Sequence, residues 1–356
     1  MERRPLGRTG VLVSELALGT MMFGGAGNPD RAECVRIVQR ALEAGITFFN
    51  SAEGYSGGAS EEILGEALAG GRRDAAIIAT KFGPRFGGDP DREGGSRRWI
   101  VRTVEESLRR LRTEWIDVYE FGAPDPLTDI DETLSALTDL VSAGKVRMLG
   151  TSKMPPSQLV EARVVAERRG YGYFRVEESP YSMLTRSIEY DLIPTCRRLG
   201  TGVVVFGALA GGWLSGRYRK GAQIAAPGSS ARDRGDRMDA ASPTNAAKFE
   251  AADALGALAD EVGLTLPQLA TAFTLQHPDV SATIIGPRTM EQLEGSLAAT
   301  GVTLSADVLD RIDQIVPPGS ATNISDTMWQ FGTDALAVEN RRRHATGAPQ
   351  APAAAR

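Results

Sequence analysis

Tyr55 closes the run TFFNSAEGY and Lys81 closes the run AAIIATK. An ammonium close to a phenol favours the phenolate and lowers the phenol's pKa, making it a usable acid or base near neutrality. Taken singly, Tyr55 reads as a turn aromatic and Lys81 as a solvated strand end. The pair carries chemistry only if the fold brings both to one place. Asn50 stands at the strand end within that first run, with Tyr55 in the next turn, and Gly122 stands just past the end of IDVYEF. Glu120 shares strand parity with position 122 and is expected to point the same way, as a substitute acid or as half of a deeper salt bridge.

The elements that must position these residues are written in the hydrophobic pattern. Eight strand-like runs fall at 16–20, 47–51, 76–80, 116–121, 146–151, 173–177, 202–206 and 282–285. Between them lie amphipathic stretches such as 32–44, 61–69, 100–111, 130–141, 158–168 and 249–262, with apolar residues at helical spacing. Ser60 before Glu61 and Asp129 before Ile130 read as helix starts. Eight strands alternating with helices predict an α/β fold, a single (β/α)8 barrel, whose chemistry sits on the loops after the strands. Residues 1–13, with Gly7 and Gly10, predict a hairpin covering the barrel floor. Two long loops extend the active-site face. Residues 83–98 read as a substrate loop and residues 207–247 as a segment that clasps a cofactor. The barrel is expected to span 1–316. Residues 317–356 form an extension expected to be disordered from about Arg341 onward.

The bulk numbers exclude several classes. The chain has 356 residues, 42% hydrophobic and 24% charged, and no stretch approaches the length of a membrane span. Net charge is −5, with no basic face of the kind nucleic acids need. Cys34 and Cys196 are the only cysteines, far apart in sequence, and predict neither a disulfide nor a metal site. A small-molecule substrate, no nucleic-acid or membrane partner and a reducing, cytoplasmic setting are the expectations. Oligomeric state is not legible.

The segments LALGTMMFG, GITFFNSAEGYSGGASEEILGEAL, IATKFG, SLRRLRTEWIDVY, GKVRMLGTS, LAGGWLSGRY and IIGPRTMEQLE follow one another in an order that resembles the aldo-keto reductases. The resemblance covers residues 1 to about 316 and is strongest to the branch of potassium-channel β-subunit-like reductases. It implies an NADP(H)-dependent reductase in which hydride leaves nicotinamide while a tyrosine, assisted by Lys, Asp and His, protonates the product oxygen. Carried onto this chain, the tyrosine is Tyr55 and the lysine Lys81. The family's Asp is Asn50 and its His is Gly122, a degenerate tetrad. With Asn50 there, Lys81 is expected to be less paired, with a lowered pKa. The only histidines, His277 and His344, are not expected to reach the site. A family member that reduces a conjugated carbon–carbon double bond carries glutamate at that histidine position, and Gly122 would give a substrate similar depth.

The resemblance further implies a cofactor site from Gly19, Thr20, Ser152, Lys153, Glu178, Phe206, Leu209, Gly211, Gly286, Arg288, Thr289 and Gln292. Phe206 would stack on nicotinamide, and Leu209 to Gly212 would form the pyrophosphate loop. Gly286 to Thr289 open a helix whose N–H groups favour a phosphate, with Arg288 suited to an adenosine 2′-phosphate. Lys153 and Glu178 replace neutral residues that hold the carboxamide, and an ion pair between them is one expectation. Three readings follow: an NADP(H)-dependent oxidoreductase acting on a carbonyl or conjugated C=C; a cyclase, dehydratase or isomerase using Tyr55, Lys81 and a glutamate; and a catalytically silent cofactor-binding subunit.

Overall fold

The computed structural model describes residues 1–83, 92–221 and 235–328. The chain opens with a two-stranded antiparallel hairpin, β1 (Arg3–Pro5) against β2 (Leu12–Ser14). Eight parallel strands follow: β3 (Leu16–Gly19), β4 (Phe48–Asn50), β5 (Ile77–Phe82), β6 (Ile116–Phe121), β7 (Val146–Ser152), β8 (Phe174–Pro180), β9 (Gly202–Phe206) and β10 (Val280–Ile285). They pair in chain order, and β10 returns to β3, closing the barrel. The eight expected runs are these eight strands, displaced by no more than a few residues at their ends.

The barrel interior is layered because successive strand side chains point to opposite faces. Ala17, Phe48, Ala79, Val118, Val176, Val204 and Ala282 form one buried apolar layer. Leu6 and Val13 of the hairpin segment pack into the same cluster, fully buried, and so plug the floor as expected. Two residues further along four of these strands, the same face turns polar: Asn50 above Phe48, Lys81 above Ala79, Glu120 above Val118 and Glu178 above Val176. The pleat therefore aims four polar side chains into one layer at the carboxyl ends of β4, β5, β6 and β8.

Helices α1 (Arg31–Glu43), α2 (Ala59–Ala67), α3 (Arg97–Leu111), α4 (Ile130–Ser142), α5 (Pro156–Arg169), α6 (Leu192–Leu199), α7 (Ala246–Glu261), α8 (Leu266–Gln276), α9 (Met290–Leu297) and α10 (Ala306–Ile315) wrap the barrel. Their apolar faces share one large core with the outward faces of the strands. Periodicity alone left α8 unread: it is buried along most of its length, from Leu266 to Leu275, so it lacks the polar stripe that marks an amphipathic helix. Its start is nonetheless signalled by a capping box, Thr265 with Gln268.

One start signal misled. Ser60 does not cap α2; the cap is Gly58, at φ 96°, and Ser60 sits inside the first turn. Its hydroxyl bonds the Thr20 carbonyl at 2.8 Å and the Thr20 hydroxyl at 2.6 Å, anchoring the helix to the end of β3. Asp129 does occupy the cap of α4, without a side-chain cap bond.

The first residues beyond the barrel are ordered against it. Arg186 N donates to Ser320 O at 2.7 Å, Thr322 N to Leu184 O at 3.0 Å, and Asn323 Nδ2 to Asn245 Oδ1 at 2.8 Å. The expected disorder beyond Arg341 lies outside the described residues, as do His344 and the centres of both long loops, 84–91 and 222–234. Among the described residues, no helix is long and apolar enough to cross a membrane.

Candidate active site

The polar layer is a single hydrogen-bonded cluster. Lys81 Nζ lies 2.9 Å from Glu178 Oε2 and 3.5 Å from Glu120 Oε2, and it donates to Asn50 Oδ1 at 2.5 Å. Asn50 Nδ2 turns to the same two carboxyls, 2.6 Å from Glu178 Oε2 and 3.3 Å from Glu120 Oε2. A fourth bond, Lys81 Nζ to Ser51 O at 3.2 Å, fixes the ammonium beneath the turn after β4. Glu120 and its neighbours are almost wholly removed from solvent, at 0% exposure for Glu120 and 4% for both Lys81 and Glu178. Glu120 points inward as its parity required. Its space comes from β7: a Cβ added at Gly150 would stand 2.7 Å from Glu120 Cγ and 2.9 Å from Val118 Cγ1.

These contacts correct the expectation for Lys81. Burial works to lower its pKa, but Glu178, Tyr55 and Glu120 outweigh burial and raise it. The amide at position 50 did not leave the lysine unpaired, because Glu120 from the adjacent strand β6 and Glu178 from β8 across the barrel supply the negative charge. Glu120 moves the other way for a carboxyl: burial, and then the adjacent Glu178 charge, push its pKa well above the usual range despite Lys81. The expected Lys153–Glu178 ion pair is not formed. Glu178 is engaged by Lys81 and Asn50, and Lys153 Nζ donates to Ser152 Oγ at 2.9 Å.

Lys153 is nonetheless held at the mouth by its backbone. Its φ of 59° is in the left-handed region, and its N–H donates to Glu178 O at 2.9 Å. Burial lowers its pKa to about 8, partly offset by Glu178. Below it Ser152 is fully buried.

Tyr55 opens a short 3₁₀ turn, Tyr55–Gly58, directly after β4. Lys81 Nζ lies 5.7 Å from the centre of its ring, so the fold does bring the pair together. Gly122 is buried at the end of β6, its N–H on Phe82 O at 2.8 Å. A residue that the sequence reading passed over straps this region. Glu53 N donates to Lys81 O at 3.1 Å, and its carboxylate accepts Gly83 N at 3.2 Å and the Thr103 hydroxyl. Burial raises the Glu53 carboxyl to about 7. The one available signal was an acid two residues before the tyrosine.

The remaining candidates ring the mouth. Gly19 lies where a Cβ would meet Ile284 Cγ2 at 2.6 Å, and the Thr20 hydroxyl is fully buried on Asn50 O and Ser51 Oγ, at 3.2 and 2.9 Å. Both therefore shape the barrel rim, and the Thr20 side chain is already engaged. Phe206 ends β9 half-buried, followed by a turn through Leu209 and Gly211, with Gly211 at φ 71°. Across the mouth, Thr289 caps α9, Gln292 Oε1 accepts Arg288 N at 2.8 Å, and Asn28 Nδ2 donates to Arg288 O at 2.7 Å. Gly286 is exposed there. The Arg288 guanidinium forms no ion pair with the described residues. A helix N-terminus beside such an arginine fits an anionic group such as a phosphate. His277 packs edge-on to Tyr181 at the start of β10, away from this cluster. Among the described residues no group of acids, cysteines or histidines could hold a metal ion.

Comparison with known proteins agrees with this architecture. The model of the aldo/keto reductase family matches residues 15–317. An "uncharacterized oxidoreductase YrpG" of Bacillus subtilis is 36% identical over 333 residues, 90% of this chain and 98% of the relative. A "probable voltage-gated potassium channel subunit beta" of Arabidopsis thaliana is 33% identical over 329 residues, 89% of this chain and 97% of the relative. With the family model spanning the closed barrel and its polar mouth, the chain belongs to the aldo/keto reductase family.

Proposed function

We propose that the chain is an NADP(H)-dependent oxidoreductase reducing a carbonyl or a conjugated carbon–carbon double bond of a small molecule, with Tyr55 as proton donor and Lys81 as its electrostatic partner. The observation that carries this reading is the Lys81–Tyr55 pair, held at one strand mouth by Glu178, Asn50 and Glu120. An ammonium fixed in place and kept charged favours the phenolate left when Tyr55 gives up its proton. Reduced nicotinamide, when bound, supplies the hydride. Arg288 with the first turn of α9 would hold a phosphate, Phe206 and the Leu209–Gly211 turn would flank the cofactor, and Lys153 with Ser152 would face its amide end. Glu178 would stand beside them, with its Oε2 engaged by Lys81 and Asn50.

Gly122 offers no donor to a substrate carbonyl. Missing donors of that kind cost on the order of 10²–10³ in rate, so simple aldehydes are expected to react slowly and conjugated or bulky substrates to be preferred. The test is NADPH binding by quenching or enhancement of nicotinamide fluorescence, with NADH as control, followed by hydride transfer in Tyr55→Phe. NADPH-selective binding, with turnover in wild type and none in the variant, supports the reading. Turnover without any nicotinamide, or no binding at all, overturns it.

A second reading has one observation in its favour: the cluster of Lys81, Glu120 and Glu178 is a proton-transfer set that needs no hydride. An isomerase or dehydratase would retain activity in the absence of NADPH, which the same experiment detects. The β-subunit name of the plant relative brings a third, a cofactor-binding subunit, which would bind NADPH without turning over any substrate.

A further inference from the structure

The cluster contains two carboxyl groups and one ammonium in direct contact. Glu178 Oε2 and Glu120 Oε2 meet the same two donors, Lys81 Nζ and Asn50 Nδ2, at 2.9 and 2.6 Å for the first and 3.5 and 3.3 Å for the second. Two carboxylates gathered on common donors repel each other, and a single ammonium balances only one of them. The other titratable groups near the pair are Tyr55 from the turn after β4, Lys153 from the end of β7 and Glu177, the strand neighbour of Glu178 on β8, whose carboxyl turns to Ser179 Oγ and Met154 N. Lys153 is occupied with Ser152 Oγ, and Glu177 adds a further buried carboxyl rather than relief. Glu120 is the deeper of the two acids, fully buried, and its Oε1 has no hydrogen-bond partner among the described residues.

We propose that Glu120 and Glu178 share one proton, carried by Glu120, and that this proton is the reserve from which Tyr55 is recharged through Lys81 during reduction. The delivery half rests on the reductase reading above; the shared proton does not. Reduced nicotinamide, when bound, would supply the hydride that reduces the substrate and would itself be oxidised, while the Tyr55 O–H bond breaks as its proton passes to the substrate. Lys81 then hands a proton to the phenolate, and the Glu120 carboxylic acid reprotonates Lys81. The cluster ends one proton short, with both carboxyls ionised around Lys81, an unfavourable state that a solvent proton relieves. Glu120 is thus a positioning residue that acts through Lys81 and never touches the substrate. A proton stored inside the barrel lets the chemical step proceed without an open water path to a site whose acids are almost wholly buried.

The proposal is tested on the full-length chain in two arms. Infrared spectra of the cofactor-free protein are compared for wild type, Glu120→Gln, Glu178→Gln and Glu177→Gln. A protonated-carboxyl band lost in the first two variants and retained in the third is expected, because removing the Glu178 charge lets Glu120 ionise against Lys81. A spectrum unchanged by Glu120→Gln overturns the shared proton, as does a band that survives Glu178→Gln. In the second arm, a single turnover with NADPH and a conjugated ketone is followed by nicotinamide absorbance and a pH-indicator dye together. Proton uptake that lags behind nicotinamide oxidation in wild type, with the lag gone in Glu120→Gln, is expected. Simultaneous uptake in wild type overturns the reserve. If NADPH is never oxidised, the delivery role falls with the reductase reading, while the infrared arm still decides the shared proton.

Discussion

Replacing Glu53 by Gln isolates a single buried acid whose effect can be worked out beforehand. Burial raises this carboxyl from 4.5 to about 7. The folded chain therefore holds a proton that the unfolded chain releases, and its stability falls as pH rises from 4.5 through 7. One pH unit is worth about 1.4 kcal/mol, so ionising Glu53 costs the fold about 3 kcal/mol near pH 8 and about 1 kcal/mol near pH 5. Gln keeps an acceptor for Gly83 N or the Thr103 hydroxyl but not the full carboxylate, a loss of about 1 kcal/mol that does not change with pH. Wild type and Glu53→Gln are unfolded in urea near both pH values, and the quantity of interest is how their difference changes. The variant is expected to gain about 2 kcal/mol on wild type between the lower and the higher pH. All other titrations are common to both proteins and cancel. A difference that stays constant with pH, or one that moves in wild type's favour, would refute the argument that burial governs this carboxyl.

Three further outcomes are expected, two from the same cluster and one from a buried ion pair elsewhere in the fold. Lys81→Met leaves Glu178 and Glu120 without their cation and is expected to cost about 3–5 kcal/mol in urea unfolding near neutral pH, shrinking in acid as the carboxyls protonate. Gly150→Ala places a Cβ 2.7 Å from Glu120 Cγ; overpacking of about 1–3 kcal/mol is expected, together with loss of the Glu120 carboxyl band in the infrared. Lys248, 1% exposed, pairs with Asp326 at 2.5 Å and lies 5.0 Å from the centre of the Trp213 ring. Asp326→Asn strands that ammonium, and a loss of about 3 kcal/mol in urea unfolding is expected.

The barrel was legible because each of its strands is a short apolar run separated from the next by a helix, and the closed order follows from that repetition. The Tyr55–Lys81 pair was legible because both residues end or follow strands, where the pleat and the loop direction fix their side. What could not be read was the partner of Lys81. Asn50 is adjacent in the sheet and visible in the sequence, whereas Glu178 reaches the same ammonium from β8, across the barrel interior. A one-dimensional reading weighs neighbours along the chain and along one strand pair; the charge balance of a closed barrel is set by residues from opposite walls. Glu53 escaped for a related reason, since its importance lies in bonds to Gly83 and Thr103 that sequence spacing does not suggest. The missed helix α8 and the misread Ser60 both arise from burial: a helix wet on no side shows no stripe, and a serine beside acids can serve tertiary packing instead of a cap.

The glycine on β7 has a bearing on how such a site could arise. Because Glu120 occupies the volume that a side chain at position 150 would fill, the two positions form a lock in which order matters. With any larger residue at 150 the wall would not accept this acid at 120 without distortion, whereas glycine at 150 with a small residue at 120 would leave an unfilled niche. Filling position 150 without strain therefore requires that the side chain at 120 be shortened first.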